Sequence, residues 1–265
     1  MDVMTEKYSD QDNTIIGLPY EGLKSQRELC LEEPEQEGTQ ELAMQQQELK
    51  IRLADNAGHR SSAGMLINKM YSWRGYASSS HVEENPNRIT FVASDKDMAV
   101  GTMSINFDSE IGLLVDQLYK DKTDQLRNQG RKLCEFIKLA IDGEIKSKKV
   151  LAALFHISFI TAHLLRRYTD VLIEVNPRHV RFYQRMLGFE LLGEERMNPR
   201  VNAPAVFLCL DLYKAHQMIE RYGGNLDAAG DVRSLYPYFF SPAEETGITG
   251  RLSKLYPQTC ETTEH

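Results

Sequence analysis

The segment from Asp170 to Gly193 constrains the fold more than any other part of the chain. It opens with DVLIEV, a run rich in β-branched residues that is typical of a buried strand. Asn176 and Pro177 end that strand. HVRFYQRMLG then predicts a short helix closed by Gly188, and FELLGEE predicts another strand. A strand, a helix and a second strand in so short a stretch indicate an α/β sheet.

The rest of the chain extends the same alternation. LKIRLA (49–54) predicts a strand, and Asp55 or Asn56 caps the helix that follows. RITFVAS and MAVGTMSINF flank the turn SDKD and predict a hairpin. A loop and a helix occupy 109–130, KLCEFIKLAI predicts a strand, and VLAALFHISFITAHLLRRY predicts a long apolar helix. AVFLCLDL closes the series. The predicted fold class is α/β, with a sheet of mixed direction and helices on both faces.

An acidic segment precedes this core. The first 50 residues carry 12 acidic and 4 basic side chains, whereas the remaining residues carry a net charge of +1. From Glu32 to Glu48, eleven of seventeen residues are Glu or Gln, a composition too polar to fold alone. We therefore expect a flexible leader over 1–48, a core over 49–212, and a C-terminal helix with an aromatic extension over 213–265. The aromatic stretch YPYFF is expected to dock on the core, because such a cluster is costly in water.

Composition excludes several classes of protein. A chain with 42% hydrophobic and 26% charged residues is neither fibrous nor wholly disordered. No apolar run reaches the roughly 18 residues of a membrane span, and Val150 to Leu165 comes nearest. The polar start MDVMTEKYSDQD is not a secretory signal, and four scattered cysteines form no disulfide or metal pattern. We expect a cytoplasmic protein without a bound metal, a nucleic-acid partner or a transmembrane segment.

The stretch VNPRHVRFYQRMLGFELLG resembles the C-terminal half of the GNAT N-acetyltransferase fold. In that fold a strand, an Asn, a helix with a Tyr, and Gly-Phe hold the pantetheine arm of an acyl thioester. GRKLCEFIKLAID, RSSAGMLINKMYSWRGY, VGTMSINFDSEIGLLVDQLY and RSLYPYFFSPAEETGI are similar to the FeeM-type N-acyl amino acid synthases, which are bacterial relatives of the acyl-homoserine-lactone synthases. The resemblance covers about 49–250. It implies a GNAT-like α/β fold with a mixed, mainly antiparallel central sheet flanked by helices. It implies an enzyme that joins a long-chain fatty acyl group from acyl carrier protein to the α-amine of an amino acid.

The turn DGEIKSKK bears on the acyl donor. Acetyl-CoA-dependent relatives carry a glycine-rich turn there, whose backbone amides cradle the pyrophosphate at a helix N-terminus. This turn has one Gly and three lysines, Lys146, Lys148 and Lys149. It favours phosphopantetheine on acyl carrier protein over acyl-CoA, with no permanently bound cofactor, and the lysines are expected to meet the acidic carrier. The alternative is an ordinary basic turn.

Aminolysis of a thioester requires three kinds of group. A carboxylate must accept a proton from the amine, directly or through a water, and Glu135 is the candidate general base. A backbone N–H near Ile137 or Lys138 is expected to stabilise the carbonyl oxyanion. The resemblance implies that Tyr183 protonates the leaving thiolate and that Asn176 bonds the pantetheine amides.

Each assignment has a structural alternative. Glu135 could instead form an ion pair with Lys138 or Arg131, Tyr183 could be a core aromatic, and Asn176 could only end its strand. Cys134 alternates to the strand face opposite Glu135, which argues against a cysteine nucleophile.

Two pockets are also required, one for the acyl chain and one for the acceptor. A basic side chain must meet the acceptor carboxylate, and Arg60 or Arg74 is the candidate. The candidate acyl-pocket residues are Met103, Ile105, Phe155 and Phe159, and the candidate acceptor residues are Arg60, Trp73, Arg74 and Tyr76.

Three alternative functions remain open at this stage. They are a CoA-dependent GNAT N-acetyltransferase, an acyl-homoserine-lactone synthase, and a non-catalytic module that senses acyl groups or binds a partner. Glu135→Gln separates the enzymes from the sensor, because only an enzyme would lose turnover while it keeps acyl binding.

Overall fold

The computed structural model describes residues 13–20, 47–72, 85–96, 98–143 and 147–255. Within these residues eight strands form one sheet: β1 (Thr14–Tyr20), β2 (Gln47–Leu53), β3 (Arg88–Asp95), β4 (Met98–Phe107), β5 (Leu133–Ile141), β6 (Asp170–Val175), β7 (Glu190–Asn198) and β8 (Ala203–Asp211). The helices are α1 (Ala57–Ser72), α2 (Asp116–Asn128), α3 (Lys148–Phe159), α4 (Val180–Leu187), α5 (Leu212–Tyr222) and α6 (Pro242–Leu255). Residues Ile160–Leu165 continue α3 as a π-helix.

The strand order across the sheet is β1-β2-β3-β4-β5-β6-β8-β7. Neighbouring strands are antiparallel except β5 and β6, which are parallel. The predicted α/β class with a mixed, mainly antiparallel sheet is therefore confirmed.

Local sequence explains where the helices begin and end. The Asn56 side chain accepts a hydrogen bond from the backbone of His59 at the start of α1, so Asn56 is the cap. Asp211 caps α5 by accepting from the amides of Tyr213 and Lys214. Gly188 ends α4 in the left-handed region at φ 81°, where a residue without a Cβ is favoured.

Helices cover both faces of the sheet. On one face, α3 packs on β3 and β4, α4 on β7 and β8, α5 on β8, and α6 on β1. Together they build the main apolar core, which includes Ile51, Phe91 and Ile157. On the other face, α1 packs on β4 and β5. The ring of Tyr119 in α2 stacks on Phe207 of β8 at a centroid distance of 5.2 Å on that same face. Where β5 and β6 meet, the main core therefore lies on one face of the sheet and the cluster around Tyr119 lies on the other.

The N-terminal segment differs from the prediction. Thr14–Tyr20 forms β1, which pairs with β2 and places Ile15 in the main core at 0% exposure. The prediction of a flexible leader over 1–48 is wrong for these residues. TIIGLPY is a short run that contains Gly17 and Pro19, two residues that are depleted in strands, so it does not predict a strand without knowledge of its partner.

The aromatic stretch packs on α3. Tyr236, Phe239 and Phe240 are buried, and the imidazole of His156 stacks against the rings of Phe239 and Phe240 at 4.8 and 5.2 Å. His156 Nδ1 accepts from the Phe240 amide, and Nε2 lies 2.7 Å from Glu245 Oε2. Because Nδ1 accepts, the ring proton is on Nε2, which donates to Glu245. His156 thus joins α3 to the C-terminal segment.

The long apolar helix begins before the apolar run that starts at Val150. Lys148–Leu165 spans 18 residues and is apolar enough, by length and composition, to cross a membrane. However, 72% of this stretch is buried within the protein, as is common for the central helix of a globular core.

Candidate functional site

The site begins where β5 and β6 separate. The two strands pair only over Leu133–Glu135 and Asp170–Leu172. Beyond Leu172, β6 stays paired with β8, and beyond Glu135, β5 stays paired with β4. The facing edges of β5 and β6 therefore diverge and leave an opening in the middle of the sheet. Backbone groups along such an opening can bond an extended, amide-containing ligand.

A β-bulge lies on the β5 side of this opening. Ser104 pairs with Ile137 but Thr102 pairs with Ala140, so β5 contains one extra residue at this point. Lys138 adopts φ 54°, a left-handed conformation that is uncommon for a residue with a side chain. A bulge turns backbone groups out of the regular ladder and is frequent beside active sites. It occurs at the position where the sequence predicted an oxyanion donor, Ile137 or Lys138.

Glu135 is the last β5 residue paired with β6 and is only 1% exposed. Its Oε2 accepts from the backbone N–H of Leu114 at 2.9 Å, and the Asn106 side chain is a second donor. Arg131 binds Asp170 and Asp211. The alternative Glu135–Arg131 ion pair is therefore not formed.

A second buried carboxylate lies beside Glu135. Glu174 of β6 binds the guanidinium of Arg200 and accepts from the Asn198 side chain at 2.9 Å. Arg200 also donates to the carbonyl of Leu114 at 2.8 Å. Arg200 therefore binds both Glu174 and Leu114, the residue whose amide donates to Glu135.

Burial dominates the electrostatics of this pair. Desolvation, together with the nearby charge of Glu174, raises the pKa of Glu135 to about 7, although hydrogen bonds from Leu114 and Asn106 and the charge of Arg200 oppose the shift. Burial also raises the pKa of Glu174. A carboxyl group with a pKa near 7 can both accept and release a proton at neutral pH, which suits general acid–base chemistry.

A pocket of about 690 Å³ opens next to Glu135 on the α2 side of the sheet. Asn106 and Leu114, the two hydrogen-bond donors to Glu135, are part of its wall. Asn85, Asn87 and Arg88 line it as well, so its surface is rich in polar groups. Glu135 therefore lies just behind the wall of a polar pocket.

Tyr183 lies on the other face of the sheet. Its ring is 6.4 Å from that of Phe155 in α3, which is 6.2 Å from that of Phe136, the residue after Glu135. Phe189 contacts Tyr183 at 5.6 Å. Phe155 thus lies between Tyr183 and the β5 segment that borders the opening, while Glu135 faces the polar pocket.

The predicted donor-binding residues have varied surroundings. The Asn176 side chain donates to the Pro204 carbonyl at 3.3 Å and accepts from the Arg178 amide, so it caps the turn at 177–179. Lys148 and Lys149 are exposed at the start of α3. Lys148 Nζ lies 5.3 Å from the centre of the Tyr238 ring. Lys146 lies outside the described residues.

The acyl-pocket candidates are packed as core residues. Met103 and Ile105 are 0% exposed, and the Ser158 hydroxyl lies 3.1 Å from the Met103 sulfur. Phe159 contacts the rings of His156 and His163. Among these candidates Phe155 has the contacts that reach the opening, and an acyl-binding role for the set stays a prediction.

The acceptor candidates are less informative. Trp73, Arg74 and Tyr76 lie outside the described residues. Arg60 is in the first turn of α1, where its guanidinium donates to the Asp55 carbonyl at 2.9 Å, and it does not line the polar pocket. Arg88 lines the pocket instead.

Sequence reasoning missed Arg88, Asn106, Leu114, Glu174 and Arg200. Two signals were available. Thr102, Ser104 and Asn106 form a polar alternation within an apolar hairpin strand, and Glu174 interrupts the apolar run of β6. A polar residue in a buried strand requires a partner, and this requirement marks a site. The sequence around Leu114 and around Arg200 gave no signal of this kind.

Metal and cysteine chemistry find no support in the described part of the chain. It contains no group of three or more His, Cys, Asp or Glu side chains suited to holding a metal ion. Cys134 is fully buried on the main-core face, and burial raises the pKa of its thiol well above the usual value, which disfavours the nucleophilic thiolate.

Comparison with known proteins identifies one family. The model of the N-acyl amino acid synthase FeeM matches residues 62–211, a segment that includes Glu135, the bulge at Lys138 and Tyr183. The solved structure of FeeM, an N-acyl amino acid synthase from uncultured soil microbes, is 29% identical. The match covers 63% of this chain and 97% of that chain, with a TM-score of 0.57.

Other similarities are weaker. Escherichia coli ElaA is 10% identical over 62% of this chain and 99% of that chain, with a TM-score of 0.46. Arabidopsis thaliana NAA60 in complex with acetyl-CoA is 11% identical over the same shares, also with a TM-score of 0.46. No curated protein sequence matches this chain.

Proposed function

The chain belongs to the N-acyl amino acid synthase FeeM family of N-acyltransferases, and from this premise we propose that it moves a long-chain fatty acyl group from acyl carrier protein to the α-amine of an amino acid. The donor is the acyl thioester on the carrier's phosphopantetheine, and the product is an N-acyl amino acid.

The buried carboxyl of Glu135 carries this proposal. It lies at the point where β5 and β6 separate, between the opening for a thioester and the polar pocket. An acceptor amine is protonated near pH 7 and cannot attack until it loses a proton. Burial raises the pKa of Glu135 to about 7, so a substantial fraction of the enzyme holds an ionised base at neutral pH that is still basic enough to be effective.

The remaining steps follow from the groups around the opening. The neutral amine attacks the thioester carbonyl, and a backbone N–H at the Ile137–Lys138 bulge stabilises the tetrahedral oxyanion. The attacking nitrogen loses its second proton to water, and collapse of this intermediate forms the amide bond and breaks the carbon–sulfur bond. Tyr183 gives a proton to the departing thiolate and regains one from solvent, while Glu135 returns the amine proton to water.

The start of α3 favours a carrier protein as donor. Ser147 caps the helix by accepting from the Val150 amide, and Lys148 and Lys149 point positive charge outward beside it. Acyl carrier proteins are acidic, so an exposed basic helix end complements them. An acyl-CoA donor would present the same pantetheine arm without this protein surface.

The test mixes the full chain with acyl carrier protein loaded with C8 to C16 chains, with pooled amino acids as acceptors, and measures products by mass spectrometry. Matching acyl-CoA donors are run in parallel. We expect N-acyl amino acids from the carrier donor. Transfer from short acyl-CoA alone would make the chain a CoA-dependent acetyltransferase, and carrier binding without transfer from either donor would favour a sensor.

Lys149→Glu tests the carrier surface directly. We expect this variant to raise the KM for acyl carrier protein several-fold, with a weaker salt dependence, and to leave transfer from acyl-pantetheine unchanged. Lys254→Glu in α6 is the matched control and should change neither value. Equal loss with both donors would show that Lys149 acts on the fold and not on the carrier.

A further inference from the structure

One row of side chains crosses three strands beside the polar pocket. Arg88 of β3 pairs directly with Asn106 of β4, and Asn106 pairs directly with Glu135 of β5. Residues opposite each other on adjacent strands point to the same face of a sheet. The next row is consistent with this geometry, because the Thr90 and Ser104 hydroxyls bond each other at 2.7 Å. A guanidinium, an amide and a carboxylate therefore follow one another across the sheet.

The spacing of this row matches a small zwitterion. Strands lie about 4.8 Å apart, so roughly 10 Å separate the Cα atoms of Arg88 and Glu135. Asn106 lies between them, is 6% exposed, and forms part of the pocket wall with Arg88. One α-amino acid lying across Asn106 would reach both ends of the row.

Among the described residues, the cations that line the pocket are Arg88, Lys120 and Arg127. Lys120 and Arg127 belong to α2, whereas Arg88 belongs to β3 and to the row. Arg88 stands in register with the base and presents a planar group that suits bidentate contact with a carboxylate.

We propose that Arg88 binds the α-carboxylate of the acceptor and thereby directs its amine toward Glu135. The inference rests on the proposed function for the identity of the acceptor. It assigns the polar pocket to acceptors that carry a carboxylate next to the amine. Arg88 then replaces Arg60 and Arg74 as the candidate for this contact, and Asn106 contacts the backbone portion of the same ligand.

Kinetics with paired acceptors test the assignment. Each amino acid is compared with its α-carboxamide, which keeps the amine and side chain but lacks the negative charge. We expect the wild type to prefer the amino acid by about 10- to 100-fold in kcat/KM, the range for a hydrogen-bonded charge pair. Arg88→Gln should remove this preference mainly by raising the KM for the amino acid, and Arg88→Lys should restore part of it. Equal losses for both acceptors in Arg88→Gln would overturn the proposal.

Equilibrium binding keeps the test independent of turnover. N-dodecanoyl-alanine and N-dodecanoyl-alaninamide are titrated calorimetrically into the wild type, Arg88→Gln and Arg221→Gln. Arg221 is the matched control because it lies on α5, which packs on the opposite face of the sheet. We expect the wild type and Arg221→Gln to prefer the free acid and Arg88→Gln to bind both ligands equally. If the wild type does not distinguish the two ligands, the assignment of Arg88 is wrong even where acyl transfer occurs. If it does distinguish them but transfers no acyl group from either donor, the proposed function fails and the carboxylate site stands.

Discussion

At the scale of single residues, the site depends on burial more than on residue type. Glu135 is one of many glutamates in the chain, and its strand neighbours and the loop above it remove it from water. Desolvation and the charge of Glu174 then raise its pKa to about 7. Residues remote in sequence, Leu114 and Arg200, hold this arrangement together through their backbone and side-chain contacts.

The pH dependence of acyl transfer reports on Glu135. Because the base must be ionised, we expect kcat/KM to rise with pH through about 7, with the limb set by the raised pKa of Glu135. Glu135→Gln should remove this limb and lower kcat by about 10²- to 10⁴-fold. Binding of acylated carrier protein should be retained. The measurement is a pH–rate profile with C12-loaded carrier protein.

Two controls make the result specific. Below a pH of about 4.5, Glu135 is protonated in both the folded and the unfolded protein. Between that pH and about 7, the folded protein binds the proton more tightly than the unfolded protein does. The contribution of Glu135 to the free energy of unfolding therefore falls as pH rises through this window. Glu135→Gln should therefore be at least as stable as the wild type at pH 8, which separates lost chemistry from unfolding. Glu174→Gln removes a like charge and should move the limb to lower pH. Retained turnover in Glu135→Gln would rule out Glu135 as the base.

At the scale of elements, the short helix α4 carries Tyr183 and must end sharply. Gly188 makes this possible with φ 81°, after which Phe189 begins the approach to β7 and contacts the Tyr183 ring. The bulge in β5 is the other local feature of importance, since it interrupts the β4–β5 ladder next to Glu135. Helix α4 thus places Tyr183 on one face of the sheet at the opening, and β5 places Glu135 on the other face.

Gly188→Ala tests the cost of this helix end. A Cβ at Gly188 would meet no atom within 4 Å, so the effect comes from the left-handed backbone alone. We expect a loss of about 1–2 kcal/mol in the free energy of unfolding, measured by urea denaturation. Gly230→Ala is the control, because Gly230 has φ −73° and an equally open surrounding. Equal effects in the two variants would contradict the backbone explanation.

At the scale of the whole molecule, one apolar core joins the two ends of the described chain. Ile15 of β1 and Phe240 of the aromatic stretch belong to the same cluster as α3. The Arg251 guanidinium of α6 donates to the Ile15 carbonyl. The C-terminal segment is therefore part of the core that supports α3.

Phe240→Ala tests whether the C-terminal segment unfolds together with the core. Phe240 is 5% exposed and stacks on His156, so its truncation should lower the free energy of unfolding by about 3 kcal/mol. Near-UV and far-UV circular dichroism should follow one common denaturation curve. Leu226→Ala, at a site 48% exposed, should change stability by less than about 0.5 kcal/mol. A separate early transition in Phe240→Ala would indicate that the C-terminal segment unfolds by itself.

The sequence by itself determined most of the elements and their order, because strand alternation, caps and turn residues act over a few neighbours. It placed the hairpin β3–β4, the cap region of α1, and Gly188 at the end of α4, and it identified Glu135 as a polar residue in an apolar strand. Tertiary structure alone decided that β1 joins the sheet, that β5 and β6 separate after Glu135, and that Arg88, Asn106 and Glu135 fall in one row. Strand register and burial arise from contacts between residues distant in sequence, and these contacts also set the pKa of Glu135.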